Sequence, residues 1–332
     1  MNDIFSDAVR QLLAAHCTPQ VVRNIEAGDT AQALWQVIEA SGFADALVDE
    51  AHGGAALSLS AVYPMLELCG SFALPVPLAE TLLARALLAQ AGVLIPKGSI
   101  ALGQESISPD GLLVCDTVRC GQVADWVLAT HGEHSLLLPA AQATKSAAGF
   151  CLDATLQWPQ AALGACVRIP CTYDIKTLQA CLYAAQLAGA LQAVFSRTLQ
   201  YANDRSQFGR PIGKFQAIQH QLSVISEHAF AARMAAQIGC RSNTFMPDRL
   251  CAAVAKARTS EAALEVAALS HSIHGAIGFT QEFDLQLFTR RLHLWRQVAG
   301  SESYWHTVVG TELVDRHQGL TLDLIRTVTD IH

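Results

Sequence analysis

The chain has 332 residues, of which 51% are hydrophobic and only 15% are charged, and its formal net charge is −7. This length and apolar content are enough for a large buried core in two or three domains. A surface so poor in charge favours extensive helix or subunit interfaces, and the lack of any basic block argues against a nucleic-acid partner.

The first segment, residues 1–95, has the pattern of helices separated by short turns. Apolar residues recur there every three or four positions, which predicts amphipathic helices, at residues 5–13, 34–38, 57–69 and 78–88. Ser41-Gly42 ends one of them and His52-Gly53-Gly54 reads as a loop. We expect an N-terminal helical domain.

Helical spacing fades across residues 96–171, where short apolar runs alternate with turn residues. The runs predict strands, at residues 99–102, 112–115, 126–129, 135–138 and 165–169. Pro109-Asp110-Gly111 and His131-Gly132 are the turn signals between them. This segment is therefore predicted to be a small antiparallel β domain.

Helical spacing returns across residues 172–332. Three long, Ala-rich helices are predicted at about residues 178–199, 218–236 and 248–272, with two more after Asp284 and Ser303. Helices with so many small residues pack closely, so we expect a C-terminal four-helix bundle. The predicted fold class is mainly α with a central β domain.

Other features of the sequence limit where the protein works. Charged, polar or glycine residues interrupt every apolar run before it reaches membrane-spanning length, and the first residues lack the basic region of a signal peptide. The ten cysteines form no C-x-x-C pair and are expected to be reduced core thiols in the cytoplasm. His271 and His274 have no third ligand nearby, so no metal site is expected.

The most distinctive stretch runs from Tyr201 to Gln216. It puts Arg205 at the end of a long helix, interrupts the chain at Gly209 and Pro211, and begins a new helix near Gln216. A guanidinium beside an open helix start suits a diphosphate. Taken alone, an arginine at a helix end can equally well satisfy the carbonyls of its own helix.

Several motifs together resemble those of the acyl-CoA dehydrogenase family. Arg205-Ser-Gln-Phe-Gly209 with Gln216 resembles its flavin-binding turn, and Ala124 to Leu128 is similar to one of its strands. His274 to Thr280, followed by Arg290-Arg291, resembles its glycine-containing segment near the C-terminus. The resemblance implies the same order of helical domain, β domain and bundle. It also implies that FAD is the cofactor.

The resemblance also implies roles for particular residues. Those expected to contact FAD, with Arg205 reaching the diphosphate of an adjacent subunit, are Arg205, Gln207, Phe208, Gln216, Ser272, Gly275, Ala276, Gly278 and Ser301. Arg290 is expected to bind substrate. This chain has Ser272 where the family has Gln, and Ala276 where it has a second Gly. The segment Ala101–Ser106 carries neither of the family's flavin-facing middle-domain motifs.

Family members desaturate an acyl-CoA thioester: a carboxylate removes the α-proton while the β-hydrogen leaves as hydride to flavin N5. The usual position of this base is Ala299 here, and the second known position is Gln179, so neither can take a proton. Glu302 and Asp174 lie near the two positions and are candidate bases. Their ordinary roles would be a first-turn acid and an N-cap.

Three readings follow from the missing base. Another carboxylate acts, or a sister subunit carries the base, or the chain keeps the fold as a non-catalytic scaffold or interaction protein. In all three, Ala299 retains the backbone N–H that polarises the thioester carbonyl in the family. The resemblance implies an acyl-CoA substrate and a partner protein that accepts the electrons, such as electron-transferring flavoprotein. It also implies a homo-oligomer or a heterotetramer with a sister subunit. Short members of the family form such mixed assemblies, notably in steroid side-chain breakdown.

Overall fold

The computed structural model describes residues 2–107, 112–171 and 173–329. Its helices, numbered along the chain, are α1 (Asn2–His16), α2 (Pro19–Glu26), α3 (Gln32–Ala40), α4 (Leu59–Ser71), α5 (Leu78–Gln90), α6 (Gln160–Ala165), α7 (Ile175–Asp204), α8 (Gln216–Gly239), α9 (Arg249–His274), α10 (Leu285–Trp295), α11 (Glu302–Thr311) and α12 (Thr321–Thr329). The described chain divides into two compact units. The first contains α1–α3, α5, α6 and the large sheet, and the second contains α4 and α7–α12.

The first unit is built on a seven-stranded sheet. Its strands are β1 (Ile100–Ile107), β2 (Leu113–Val118), β3 (Trp126–His131), β4 (His134–Pro139), β5 (Thr144–Ala148), β6 (Phe150–Trp158) and β7 (Val167–Pro170). They lie in the order β5-β6-β2-β1-β3-β4-β7, and every neighbouring pair is antiparallel except β1 with β3. Trp158 is fully buried in the core of the sheet and donates its indole N–H to the carbonyl of Pro139 at 3.0 Å.

A buried arginine joins the helices of the first unit. Arg85 of α5 is 3% exposed and donates to Asp45 at 2.9 Å, to Glu39, and to the carbonyl of Gly98 at 2.9 Å. A buried charge is tolerated when it is paired and hydrogen-bonded in this way. Glu39 also accepts from the N–H of Gly98 at 2.9 Å, so the segment entering β1 is tied to α3 and α5.

In the second unit α4 crosses α7 at very short range. A Cβ added to Gly189 would lie 1.8 Å from the carbonyl oxygen of Glu67, and one added to Gly70 would lie 1.8 Å from that of Gln186. Ser71 donates its hydroxyl to the carbonyl of Gly189 at 3.1 Å. Gly189 therefore allows close packing of α4 on α7, because no side chain fits at this crossing.

The remaining helices of the second unit gather around α9. This helix packs against α8, α10 and α11, and Asp248 caps its N-terminus by accepting from the N–H of Cys251 at 2.8 Å. Ala180 of α7 joins Ala253 and Ala257 of α9 and Trp305 of α11 in one core cluster. Small residues on α9 let its neighbours approach closely, as the Ala-rich sequence predicts.

The fold class expected from the sequence is confirmed. Helices dominate, a largely antiparallel sheet occupies the middle of the chain, and the long helices follow it. Five predicted strands correspond to β1–β4 and β7, while β5, β6 and α12 were not anticipated. The turn at Pro109-Asp110-Gly111 lies outside the described residues. The division into domains at residues 95/96 and 171/172 stays a prediction.

One helix, α7, is long and apolar enough to cross a membrane by length and composition alone. The most hydrophobic window of α7 is 83% buried inside the structure. The interruptions noted in the sequence did not prevent it from passing this test. Its burial is what a core helix of a bundle requires.

Replacing Gly189 by Ala is expected to destabilise the second unit, because the new Cβ would overlap the Glu67 carbonyl. Overpacking of this kind costs about 1–3 kcal/mol. The matched control is Gly310→Ala in α11, where an added Cβ meets nothing within 4 Å. That change should be neutral or stabilise by up to about 1 kcal/mol. Urea unfolding measures both, and a Gly189→Ala variant as stable as wild type would contradict the packing described.

Candidate functional site

Arg205 lies at the junction between α7 and a short hairpin. The hairpin pairs β8 (Ser206–Gln207) with β9 (Arg210–Pro211), and the N–H of Ile212 donates to the carbonyl of Arg205 at 2.8 Å. Phe208 and Gly209 form its two-residue turn with φ of +53° and +79°. Two successive positive φ values are typical of a type I′ turn, which normally avoids aromatic residues. The hairpin therefore holds Phe208 in a strained position at its tip.

The groups around Arg205 are open to solvent. Its guanidinium is exposed and, among the residues that the structure describes, has no hydrogen-bond or ion-pair partner. Gln207 is exposed, and Phe208 is 91% exposed, meeting only the edge of Phe215 among the aromatic rings described. Single exposed apolar side chains are common on protein surfaces, so the exposure of Phe208 alone does not mark a binding site.

The start of α8 is also open. Gln216 is its first residue and is exposed, and the preceding Phe215 supplies no side-chain cap. No acidic residue lies in the first turn, so the unpaired amides at this end keep their partial positive charge. Ten residues of hairpin and turn separate the free guanidinium from the uncapped helix start in the chain, and anion binding by these two groups stays a prediction.

The other predicted cofactor contacts lie at the C-terminal end of α9. Ser272 is exposed and accepts from the side-chain amide of Gln221 on α8 at 3.4 Å. Gly275 ends α9 with φ of +66° and open space where a Cβ would lie, and Ala276 beside it is exposed. Gly278 differs, because it is buried and a Cβ there would lie 3.0 Å from that of His274.

The two histidines near this loop have structural partners. His271 shares a hydrogen bond of 2.9 Å with the Thr289 hydroxyl, and His274 bonds the carbonyl of Ser270 at 2.7 Å. Tyr201 stacks on His274 with ring centroids 4.3 Å apart. Burial lowers the pKa of both histidines, which favours their neutral forms. These contacts join the ends of α7 and α9 next to the loop Gly275–Phe279.

The predicted base position, Ala299, lies in the turn between α10 and α11. It is half-buried with φ of +56°, and its carbonyl accepts from the Trp305 indole N–H at 3.0 Å. Ser301 follows at the N-cap position of α11 without making a side-chain cap. Ala299 packs on the cluster that contains Ala180, the neighbour of Gln179. The structure thus brings the two alternative base positions to one region of the bundle.

The backbone N–H of Ala299 donates to no acceptor in the part of the chain that the structure describes. This N–H is therefore available to an acceptor from outside the described chain. Its unusual backbone conformation costs about 1–2 kcal/mol for a residue with a Cβ. Such strain persists only where surrounding contacts hold it, and it concentrates at functional sites.

The two candidate carboxylates differ in their surroundings. Glu302 is the first residue of α11, and its carboxylate forms an ion pair with Arg296. Burial raises the pKa of Glu302, but its own backbone N–H, Arg296 and the Lys256 ammonium outweigh that effect and hold it below the usual value. Asp174 is exposed and directly precedes α7. A carboxylate with a lowered pKa is a weak proton acceptor.

Two charged residues complete the description of this region. Arg290, the predicted substrate contact, is exposed on α10 and donates to the carbonyl of Gln286 at 3.3 Å. Lys256 of α9, which the sequence analysis did not single out, is fully buried and bonds the turn that contains Ala299. Burial lowers the pKa of Lys256 to about 7. Only its isolation among alanines could have marked it in the sequence.

The chain is similar to known proteins in both sequence and fold. The family described as "Acyl-CoA dehydrogenase, C-terminal domain" matches residues 178–313. The chain is 29% identical to acyl-CoA dehydrogenase IpdE2 of Mycolicibacterium smegmatis over 304 residues, which is 90% of this chain and 94% of the relative. It is 30% identical to the protein of the same name from Mycobacterium tuberculosis over 295 residues, covering 88% and 91%.

Solved structures agree on the fold. The crystal structure of the ChsE4-ChsE5 complex from Mycobacterium tuberculosis matches with a TM-score of 0.80 at 20% identity, covering 95% of this chain and 98% of that chain. With near-complete coverage of the IpdE2 relatives, these matches establish that the chain belongs to the acyl-CoA dehydrogenase family. The resemblance drawn from the sequence motifs is confirmed.

Glu302→Gln tests the ion pair with Arg296 through pH. Because the folded-state pKa of Glu302 is lowered, the pair stabilises the fold above the unfolded pKa near 4.5 and loses that effect as pH falls through the lower folded value. At pH 7 the free energy of unfolding of Glu302→Gln should be about 1 kcal/mol lower than that of wild type. This difference should shrink as the pH falls.

The control for that measurement is Glu312→Gln, which removes a surface pair with the 70%-exposed Arg316. At pH 7 this substitution should lower the free energy of unfolding by only about 0.3–0.5 kcal/mol. Urea unfolding followed between pH 7 and pH 3 gives both values. Equal effects of the two substitutions at pH 7, or a Glu302 effect that does not change with pH, would contradict the assignment.

Proposed function

We propose that this chain is a subunit of an FAD-dependent acyl-CoA dehydrogenase, which desaturates an acyl-CoA thioester between its α- and β-carbons. A sister subunit would supply the catalytic carboxylate. The observation that carries the proposal is the exposed, unpartnered guanidinium of Arg205 beside the uncapped start of α8. Family membership supports an oxidoreductase that acts on acyl-CoA.

The residues present fit a flavin nucleotide. Arg205 and the first amides of α8 would hold its diphosphate, and Gln207, Phe208 and Gln216 would add contacts from the hairpin and helix. Ser272, Gly275, Ala276, Gly278 and Ser301 would contribute from the ends of α9 and α11. When bound, FAD supplies the acceptor for the β-hydrogen, which leaves as hydride.

The length of α7 supports binding across a subunit boundary. The stretch from Gln179 to Asp204 is continuous helix, which at 1.5 Å per residue is about 38 Å long. The base positions adjoin one end of this helix and Arg205 follows the other. A single extended flavin nucleotide is too short to reach both, so Arg205 would serve a flavin whose ring lies at the base position of another subunit.

The missing base supports a mixed assembly. Ala299 and Gln179 cannot accept a proton at neutral pH, and Glu302 is held by Arg296 with a lowered pKa. Asp174 is exposed just before α7 and is suited to a helix cap. The matched structure is a complex of ChsE4 with ChsE5, and the matched chain has this fold. We therefore favour a sister chain with a carboxylate over a base from this chain.

The second candidate function is a scaffold subunit that never meets substrate. The empty base positions favour it, whereas the free N–H of Ala299 favours a site that still binds a thioester carbonyl. In either assembly we propose electron-transferring flavoprotein or a similar protein as the electron acceptor. Arg290, exposed on α10, remains the proposed contact for the CoA thioester.

Arg205→Ala is expected to weaken FAD binding by about 10- to 100-fold, the usual worth of a hydrogen bond to a charged group. The measurement is flavin fluorescence titration of the chain co-purified with a candidate sister chain of the family that carries the catalytic carboxylate. The control is Arg316→Ala, an exposed arginine paired with Glu312. No flavin in the wild-type assembly, or equal affinity in both variants, would refute the proposed FAD contact.

Ala299→Glu should create or raise dehydrogenase activity in the flavin-loaded assembly, because it restores a carboxylate at the usual position. Its control is Ala299→Gln, which has the same size and no base. General-base catalysis contributes about 100- to 10,000-fold, so in an assembly whose sister chain has its own catalytic carboxylate replaced by an amide, the Glu variant should bleach the flavin with acyl-CoA at least about 100 times faster than the Gln variant. Equal bleaching rates for both would favour the scaffold function.

A further inference from the structure

We propose that Lys256 is a positioning residue that holds the turn of residues 296–300 so that the Ala299 N–H stays free to bind the carbonyl of an acyl thioester. The inference rests on the proposed function, since it assumes that this chain's own turn meets acyl-CoA. It assigns a role to the one lysine that the described residues place at the core of the bundle. Lys256 would act through the turn without touching substrate.

The contacts of Lys256 are specific to the turn. Its Nζ donates to the carbonyl of Arg296 at 2.8 Å, to the carbonyl of Gly300 at 3.1 Å and to the Ser260 hydroxyl at 3.0 Å. In its ammonium form Lys256 has three hydrogens, one for each of these acceptors. Two of them are the first and last carbonyls of the turn, so a single side chain fixes its span.

A second donor acts on the same turn. The Trp305 indole donates to the carbonyl of Ala299 at 3.0 Å, and the Trp305 side chain is fully buried. Gly300 has φ of +105°, and a Cβ there would lie 2.8 Å from the Tyr304 ring and 3.0 Å from the Trp305 indole nitrogen. Three carbonyls in five residues are thus engaged by side chains of α9 and α11. The strained backbone of Ala299 is held by these bonds.

The consequence is an asymmetry at Ala299. Its carbonyl is occupied by Trp305, while its N–H has no acceptor within the described residues. An N–H held in a fixed direction needs no reorganisation when a partner arrives, which is the property of a group that stabilises a polarised carbonyl oxygen. An acyl thioester presents such an oxygen. The turn has kept this donor although position 299 has lost any acidic side chain.

The placement of a charge at this depth is costly for a purely structural purpose. Lys256 is fully buried, and an apolar residue of similar volume usually serves core packing as well or better. The charged groups that face it are Glu302, which is paired with Arg296, and Arg296 itself. Its carbonyl partner at Arg296 lies at the C-terminal end of α10, where a cation is favoured.

The test uses the assembly with its sister chain and 4-dimethylaminocinnamoyl-CoA, a chromophore whose absorption moves to longer wavelength when its carbonyl is polarised. Lys256→Met removes the three donors and keeps the volume, and Lys256→Gln restores two N–H donors. Thr259→Val is the control, because the Thr259 hydroxyl is fully buried on the same helix and bonds only carbonyls of α9. Circular dichroism and flavin content report folding.

We expect Lys256→Met to lose this chain's share of the red-shifted absorbance while the dissociation constant of the probe rises less than about tenfold. Lys256→Gln should recover part of the shift, and Thr259→Val should keep all of it. If Lys256→Met does not fold, Trp305→Phe removes the other donor to the turn and should reduce the shift in the same way.

Three results would overturn the inference: a full wild-type shift in Lys256→Met, an equal loss in Thr259→Val, or a wild-type assembly that binds the probe without any shift. None of these outcomes bears on FAD binding through Arg205, so failure of the inference and failure of the proposed function remain distinguishable.

Discussion

The length of α7 is the constraint on which the account of this protein depends. Continuous, mostly buried helix about 38 Å long, from Gln179 to Asp204, separates the base positions from the exposed guanidinium of Arg205. Both ends are fixed by packing: Ala180 lies in a cluster with α9 and α11, and Tyr201 stacks on His274. Because a buried helix cannot shorten, the proposed function requires that the two ends of α7 contact different flavins. The proposal therefore requires an oligomer.

The groups found at the two ends of α7 differ. The end near Arg205 has the hairpin, the exposed Phe208 and the uncapped start of α8, which are the groups proposed to contact FAD. At the other end position 299 has no acidic side chain, yet the turn around Ala299 has a strained backbone. The side chains of Trp305 and Lys256 donate hydrogen bonds to the carbonyls of this turn. This pattern fits a subunit that contributes cofactor contacts and a carbonyl-binding group to a reaction whose base lies elsewhere.

Much of this could be read from the sequence, for physical reasons. Helical periodicity is strong where helices bury one stripe, and the Arg205 motif predicted the helix end, the break and the restart that the structure has. Strands β5 and β6 were not predicted from the sequence. Strand β5 is mostly exposed, and β6 carries Asp153, whose carboxylate is buried against Arg119. Lys256 escaped because its role depends on carbonyls about 40 residues away, which no local pattern encodes.

The most direct test of the central claim is sedimentation of this chain, its sister chain and their mixture, with absorbance recorded at both protein and flavin wavelengths. The account predicts that flavin sediments with the mixed assembly and is absent or deficient on this chain alone. A mixture in which this chain sediments as a flavin-free monomer, while the sister chain alone carries its full flavin, would contradict it.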